Sequence, residues 1–301
     1  DGTTAVNFST LNSGGTTTYD WTNDNTGIGL AASGTGNIAS FSAVNNGTAP
    51  EVATITVTPT FTNGGESCTG PQQTFTITVN PTAEMDDPAD QVVCNGDGTT
   101  AVNFTTDRTG GTTTYAWTNN NTSIGLAASG SADIASFTAD NTGTSPEVAT
   151  ITVTPTFTND GESCTGPQQT FTITVNPTAQ VNDPSDQVVC NANNTAAVNF
   201  TTNRSGGSTT YDWSNDNTGI GLPASGSGNI TSFAATNTGT SPEVATITVT
   251  PTFTNDGQSC TGPVETFTIT VNPTAQVNDP ANQTLCNGDG TTAVNFTTTR
   301  S

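Results

Sequence analysis

Apolar and polar residues alternate along this chain in short runs separated by turn-forming clusters. Residues 91–177 show the pattern most clearly. Gln91-Val92-Val93-Cys94 reads as a short strand, followed by a turn cluster at 95–98. Residues 100–105 alternate Val102 and Phe104 against polar neighbours, and residues 112–117 place Tyr115 and Trp117 on one face. Such period-two alternation marks half-buried strands. A polar loop follows at 119–123. Ile134 and Phe137 stand three apart, which predicts an irregular strand or bulge over 132–139. The longest predicted strand covers 148–157, with Ala149, Ile151 and Val153 on one face, and Pro155 predicts an edge or strand end there. Phe171, Ile173 and Val175 alternate in a last strand before Asn176-Pro177. No helical period of useful length occurs. About seven short strands in this span predict a two-sheet antiparallel sandwich.

The same pattern returns every 96 residues without insertion or deletion. Phe8, Phe104, Phe200 and Phe296 share one local context. Tyr19 and Trp21 recur as Tyr115 and Trp117, then as Tyr211 and Trp213. A fixed long period means one folded unit strung in series. The stretch 175–187 has two prolines and little apolar content, which sets the expected boundaries: a first sandwich over 1–82 lacking its first strand, further sandwiches over 83–178 and 179–274, and the opening strands of a fourth over 275–301. Residues 289–301 restate the phase of residues 1–13, so the chain reads as a window on a longer array. No membrane span is visible in the window, and no direct membrane insertion of this segment is expected.

Six cysteines, two per period, point to disulfides and an oxidising compartment. The framing favours pairing inside a unit, Cys94 with Cys164 and Cys190 with Cys260. Cys68 and Cys286 would then pair outside the chain. The alternative joins Cys68 to Cys94 across the linker, stapling neighbouring units.

The charge is one-sided: 25 acidic residues, three Arg, no Lys and no His, for a net charge of −22. Phosphate binding needs cations, so nucleic acid is excluded as a partner. Without His there is no Ser-His-Asp triad and no Cys-His dyad, and no zinc-ligand spacing exists. Paired carboxylates remain for glycosidase chemistry, but they lapse between copies. Asp20 becomes Ala116 and then Asp212, Asp24 becomes Asn120 and then Asp216, and Glu66 and Glu162 become Gln258. No enzyme activity is expected. Calcium is the one possible cofactor, because hard cations take carboxylate and carbonyl oxygens. The linkers offer Asp87, Asp90, Asp183, Asp186 and Asp279, and the loop after the Trp strand offers Asn23-Asp24-Asn25. Asn and Asp equally make Asx-turns at strand ends. Tyr19, Tyr115 and Tyr211, with Trp21, Trp117 and Trp213, are expected in the core rather than on a carbohydrate-stacking surface. Glu51, Glu147 and Glu243, each after a proline, read as edge charges that discourage strand aggregation.

The phrases Cys94-Asn95-Gly96, Tyr115-Ala116-Trp117, Ala149 through Pro155, Cys164-Thr165-Gly166 and Thr172 through Pro177 resemble the PKD-like, immunoglobulin-like repeats of giant surface proteins in Bacteroidetes. Here Trp117 is followed by Thr118-Asn119-Asn120, not by the Asp-Phe-Gly-Asp-Gly turn of classical PKD domains, so the relationship is PKD-like. The resemblance implies export by the type IX system to the cell surface, as in gliding adhesins and predatory filaments. It implies a shaft that carries a distal tip for an unknown surface or glycan ligand, with copies of the chain as partners in a filament or bundle. The alternative is a multivalent array in which each repeat holds a weak glycan or surface-protein site, made strong by avidity.

Overall fold

The computed structural model describes residues 2–300. The first repeat contains β1 (Thr16–Asn23), β2 (Ser33–Thr35), β3 (Glu51–Asn63), β4 (Glu66–Thr69) and β5 (Gln73–Val79). The second contains β6 (Gln91–Cys94), β7 (Thr112–Asn119), β8 (Ser129–Ser131), β9 (Glu147–Asn159), β10 (Glu162–Thr165) and β11 (Gln169–Asn176). The third contains β12 (Gln187–Cys190), β13 (Ser208–Asn215), β14 (Ser225–Ser227), β15 (Glu243–Asn255), β16 (Gln258–Thr261) and β17 (Glu265–Asn272). Each repeat has its own sheet, of five strands in the first and six in the others.

In the second repeat, β9 is the axis. It pairs antiparallel with β7 along one side, from Asn119↔Ile151 to Thr112↔Thr158. On its other side it pairs first with β11, from Glu147↔Val175 to Val153↔Gln169, and then with β10, from Thr156↔Thr165 to Asn159↔Glu162. β6 adds to β11 in parallel, ending with Cys94 opposite Asn176. Alternation on β9 sends Ala149, Ile151, Val153 and Phe157 into the core, all fully buried. Each such side chain contributes about 1.5–3 kcal/mol on burial.

The layer facing this sheet is irregular. Residues 98–105 and 133–139 are tied to each other by the single bridges Gly98↔Thr138 and Val102↔Ile134. They form no continuous strands, yet they deliver Val102, Phe104 and Ile134 to the core. Trp21, Trp117 and Trp213 are buried in their respective cores, with Tyr19, Tyr115 and Tyr211 packed beside them. Burial raises the Tyr115 phenol pKa above its usual value, with Asp86 and Asp133 adding to the effect. Trp117 lies against Gly130 of β8, where an added Cβ would stand 2.3 Å from the indole ring.

Two expectations need correction here. Pro155 neither ends nor borders a strand: it sits inside the 13-residue β9, opposite Tyr115. Its carbonyl accepts from the Gly166 amide at 3.0 Å, so its missing N–H faces the gap between β11 and β10 and costs no bond to β7. The proline-rich stretch before each sheet is also more than a connector. Ala83 and Met85 are buried in the second repeat, and Ala179 and Val181 in the third. Gly166 and Gly262 make room for it, since a Cβ at either would stand 1.9 Å from the carbonyl oxygen of Ala83 or Ala179. Residues 275–300 carry no strand and are largely exposed. In the other repeats the equivalent segment is held by a parallel partner, β11 or β17.

Candidate functional site at the joints between repeats

The pairing inside each unit is overturned by strand direction. Cys94 ends β6 opposite Asn176, one step past the Glu147↔Val175 pair, whereas Cys164 on β10 lies opposite Phe157. Ten residues of β9 separate those levels, about 33 Å. A disulfide needs Cα atoms about 4.4–6.8 Å apart. Cys190 and Cys260 are kept apart in the same way by the length of β15. The bond formed is Cys94–Cys260, with Cα atoms 5.5 Å apart and 166 residues of sequence between them. It joins the first strand of the second repeat to the hairpin of the third. The Cys68–Cys94 alternative is displaced too, although its idea of a staple between units holds. Cys68, Cys164, Cys190 and Cys286 are free thiols.

This placement follows from the fold. The β15–β16 hairpin projects toward the end of β11. Asn176 is fully buried there, and its amide donates to the Asn255 carbonyl at 3.2 Å. Asn255 returns a bond from its own amide to the Asn176 side-chain oxygen at 3.1 Å. The joint between the first and second repeats repeats this exchange with Asn80 and Asn159, at 3.2 and 3.0 Å. Amide pairs suit the place because each supplies both a donor and an acceptor to backbone ends left without partners.

A second contact fixes rotation about the joint. Arg204 donates to the Gly143 carbonyl of the preceding repeat at 2.6 Å, and the Ser205 amide donates to Thr144 at 2.9 Å. Arg108 does the same to Gly47 at 3.0 Å, with the Thr109 amide on Thr48 at 2.9 Å, and it also pairs with Glu84. Arg300 reaches the equivalent Gly239 carbonyl. All three cations of the chain thus have the same task.

The remaining polar candidates are occupied with backbone. Asp90 accepts from the Thr172 amide and Asp186 from the Thr268 amide, each at 2.6 Å, closing the sheet edge just before β6 and β12 begin. That backbone bond, reinforced by a side-chain bond from Thr268, holds the Asp186 carboxyl below its usual pKa. Asp87, Asp183 and Asp279 are exposed. Among the described residues no three Asp, Glu, Cys or His side chains are grouped to hold a metal ion. In the loop after the Trp strand, Asp24, Asn120 and Asp216 accept from the amides of Thr54, Thr150 and Thr246 at 2.7–2.8 Å. The drift between Asp and Asn is thereby explained: one acceptor oxygen is all the position needs. Asn25, Asn121 and Asn217 cap the single 3-10 turns that follow.

No family model and no curated protein matches the chain. Solved structures that are similar include Drosophila N-cadherin EC1-4, at 14% identity over 86% of this chain and 67% of that one, with a TM-score of 0.34. The three N-terminal domains of the bacteriophage RB49 highly immunogenic outer capsid protein align at 14% identity over 89% and 92%, with a TM-score of 0.38. The I9–I11 tandem of titin aligns at 15% over 87% and 90%, with a TM-score of 0.26. The chain itself is a tandem of immunoglobulin-like β-sandwiches, as its sheets and cores define. Among the described residues no helix is long and apolar enough to cross a membrane.

Proposed function

We propose that this chain is a shaft segment of a long extracellular filament or adhesin, a non-catalytic array that carries a distal binding tip away from a cell surface. The observation that carries this reading is the staple between successive repeats. Its loop of 166 residues is longer than the 96-residue period, so in a continuing array the staples overlap. Tension entering at Cys94 crosses to Cys260, runs on to Cys286 and crosses again. Only 26 residues, from Cys260 to Cys286, then bear load for every two repeats. At about 3.4 Å per residue their contour is roughly 88 Å. Two folded repeats of about 40 Å each span nearly the same distance, from the length of a 13-residue strand such as β9. Such a shaft stays at its working length even if its sandwiches melt.

The disulfide fits an oxidising, extracellular setting. The resemblance to PKD-like repeats supports a Bacteroidetes surface protein exported by the type IX route, and attachment, gliding or prey capture as the task. Small-angle scattering of the oxidised chain tests the shape. A rod about 120 Å long, which loosens on reduction at the joint between the second and third repeats, is expected. A compact particle would overturn the reading.

A further inference from the structure

The two joints are built alike but charged differently. At the first, Arg108 donates to the Gly47 carbonyl through Nη1 and pairs through Nη2 with the Glu84 carboxylate, while Asp107 stands 3.8 Å from its Nε. At the second, Arg204 makes the same Nη1 bond to the Gly143 carbonyl, but the positions one period on from Glu84 and Asp107 are Gln180 and Asn203. Both acids have become amides. Gln180 does not bond to the guanidinium. Its amide donates instead to the Asn182 side chain at 3.0 Å and, more weakly, to the Val181 carbonyl. The carboxylate closest to the Gly143 turn, Glu147, is taken by the Asn121 amide at 2.9 Å and the Ser123 hydroxyl at 3.2 Å.

Arg204 is therefore a cation without a counter-charge. Among the described residues no carboxylate pairs with it, and its Nε is buried without a partner, which leaves Nη2 as the end open to solvent. A guanidinium keeps its charge at any working pH, and its planar fork is shaped for a carboxylate. Withdrawn from water with a single carbonyl bond, it gains most from the group that the first joint supplies from within the chain.

We propose that the second joint binds a small monocarboxylate on Arg204, in the place that the Glu84 carboxylate fills on Arg108. The first joint is the template: the same arginine, on the same carbonyl, with a carboxylate on Nη2. Charge sets the size of the ligand. A net charge of −22 repels a polyanion or a second copy of the chain more than it repels a single negative charge. The shared chemistry of a simple organic acid and a sugar acid is that one carboxylate. The rim favours the sugar acid, because Asn203 and Ser205 flank Arg204, are exposed, and offer an amide and a hydroxyl to sugar hydroxyls.

The inference does not rest on the shaft reading, and scattering judges that reading separately. The test follows the arginine Nε–H signals of the full chain by nuclear magnetic resonance. Arg300, which has neutral Gln276 and Thr299 at the same places, is replaced by Lys so that two signals remain. Acetate, glucuronate and uncharged glucose are added in turn at pH 7 and constant ionic strength, set with chloride. A saturable shift of the Arg204 signal is expected with acetate and with glucuronate, tighter with glucuronate if the source is a sugar acid, while Arg108 stays still. Gln180→Glu with Asn203→Asp rebuilds the first joint's pair and is expected to weaken acetate binding at Arg204 about tenfold or more. Glu84→Gln with Asp107→Asn is expected to make Arg108 respond. An unmoved Arg204, an equal response to glucose, or equal shifts of both arginines in the parent chain would overturn the inference. A shift of Arg204 that follows protein concentration rather than added acid would give the seat to a second copy and would overturn it as well.

Discussion

Consider the oxidised chain held by its two ends and stretched. The Cys94–Cys260 bond removes the 166 residues between those positions from the load path. At about 3.4 Å per extended residue, the hidden length is roughly 560 Å. The first repeat, which no disulfide spans, still unravels fully. The oxidised chain therefore reaches its limit roughly 560 Å short of the reduced one, and adding a reductant under tension is expected to release that length in one covalent event. Optical tweezers with handles on the two termini resolve this easily. Pairing inside the units would instead lock two loops of 70 residues each, from Cys94 to Cys164 and from Cys190 to Cys260. Those would release about 240 Å apiece in two separate events. Two such releases would refute the reasoning.

Other consequences follow from the same geometry. Arg204→Ala removes the guanidinium bond to the half-buried Gly143 carbonyl and is expected to weaken the second joint by about 1–2 kcal/mol, read as increased inter-repeat motion by scattering or spin-label distances. Gly130→Ala drives a methyl group into the Trp117 ring and is expected to destabilise the second repeat by about 1–3 kcal/mol, with a changed near-ultraviolet signal for that Trp. The Asp186 carboxyl has a lowered pKa in the folded state, so its contribution is present above the unfolded carboxyl pKa, near 4, and is lost as pH falls through the folded value. Acid titration of Asp186→Asn is expected to show a shallower loss of stability below about pH 4 than the parent chain.

Much of the fold was legible because strand alternation and a 96-residue period are local signals. Ala149, Ile151 and Val153 announced their strand, and the Trp positions their core. Cysteine pairing was not legible, because it depends on which end of a sheet each residue reaches. Nothing in Gln91 through Cys94 says that this strand runs parallel to β11 and finishes beside Asn176. The linker was misread for a related reason. Ala179 and Val181 alternate, but over only two apolar positions and between prolines, and their burial depends on the distant Gly262. Arg108 and Arg204 carried a weak signal, as lone cations at a fixed phase in an acidic chain, and their carbonyl partners lie 61 residues earlier.

Disulfide mapping of the unreduced chain decides most directly whether the repeats are bound to one another or merely strung together. After cleavage and mass spectrometry, a single peptide pair containing Cys94 and Cys260 is expected from the monomer. A peptide pair joining Cys94 to Cys164 would contradict the account.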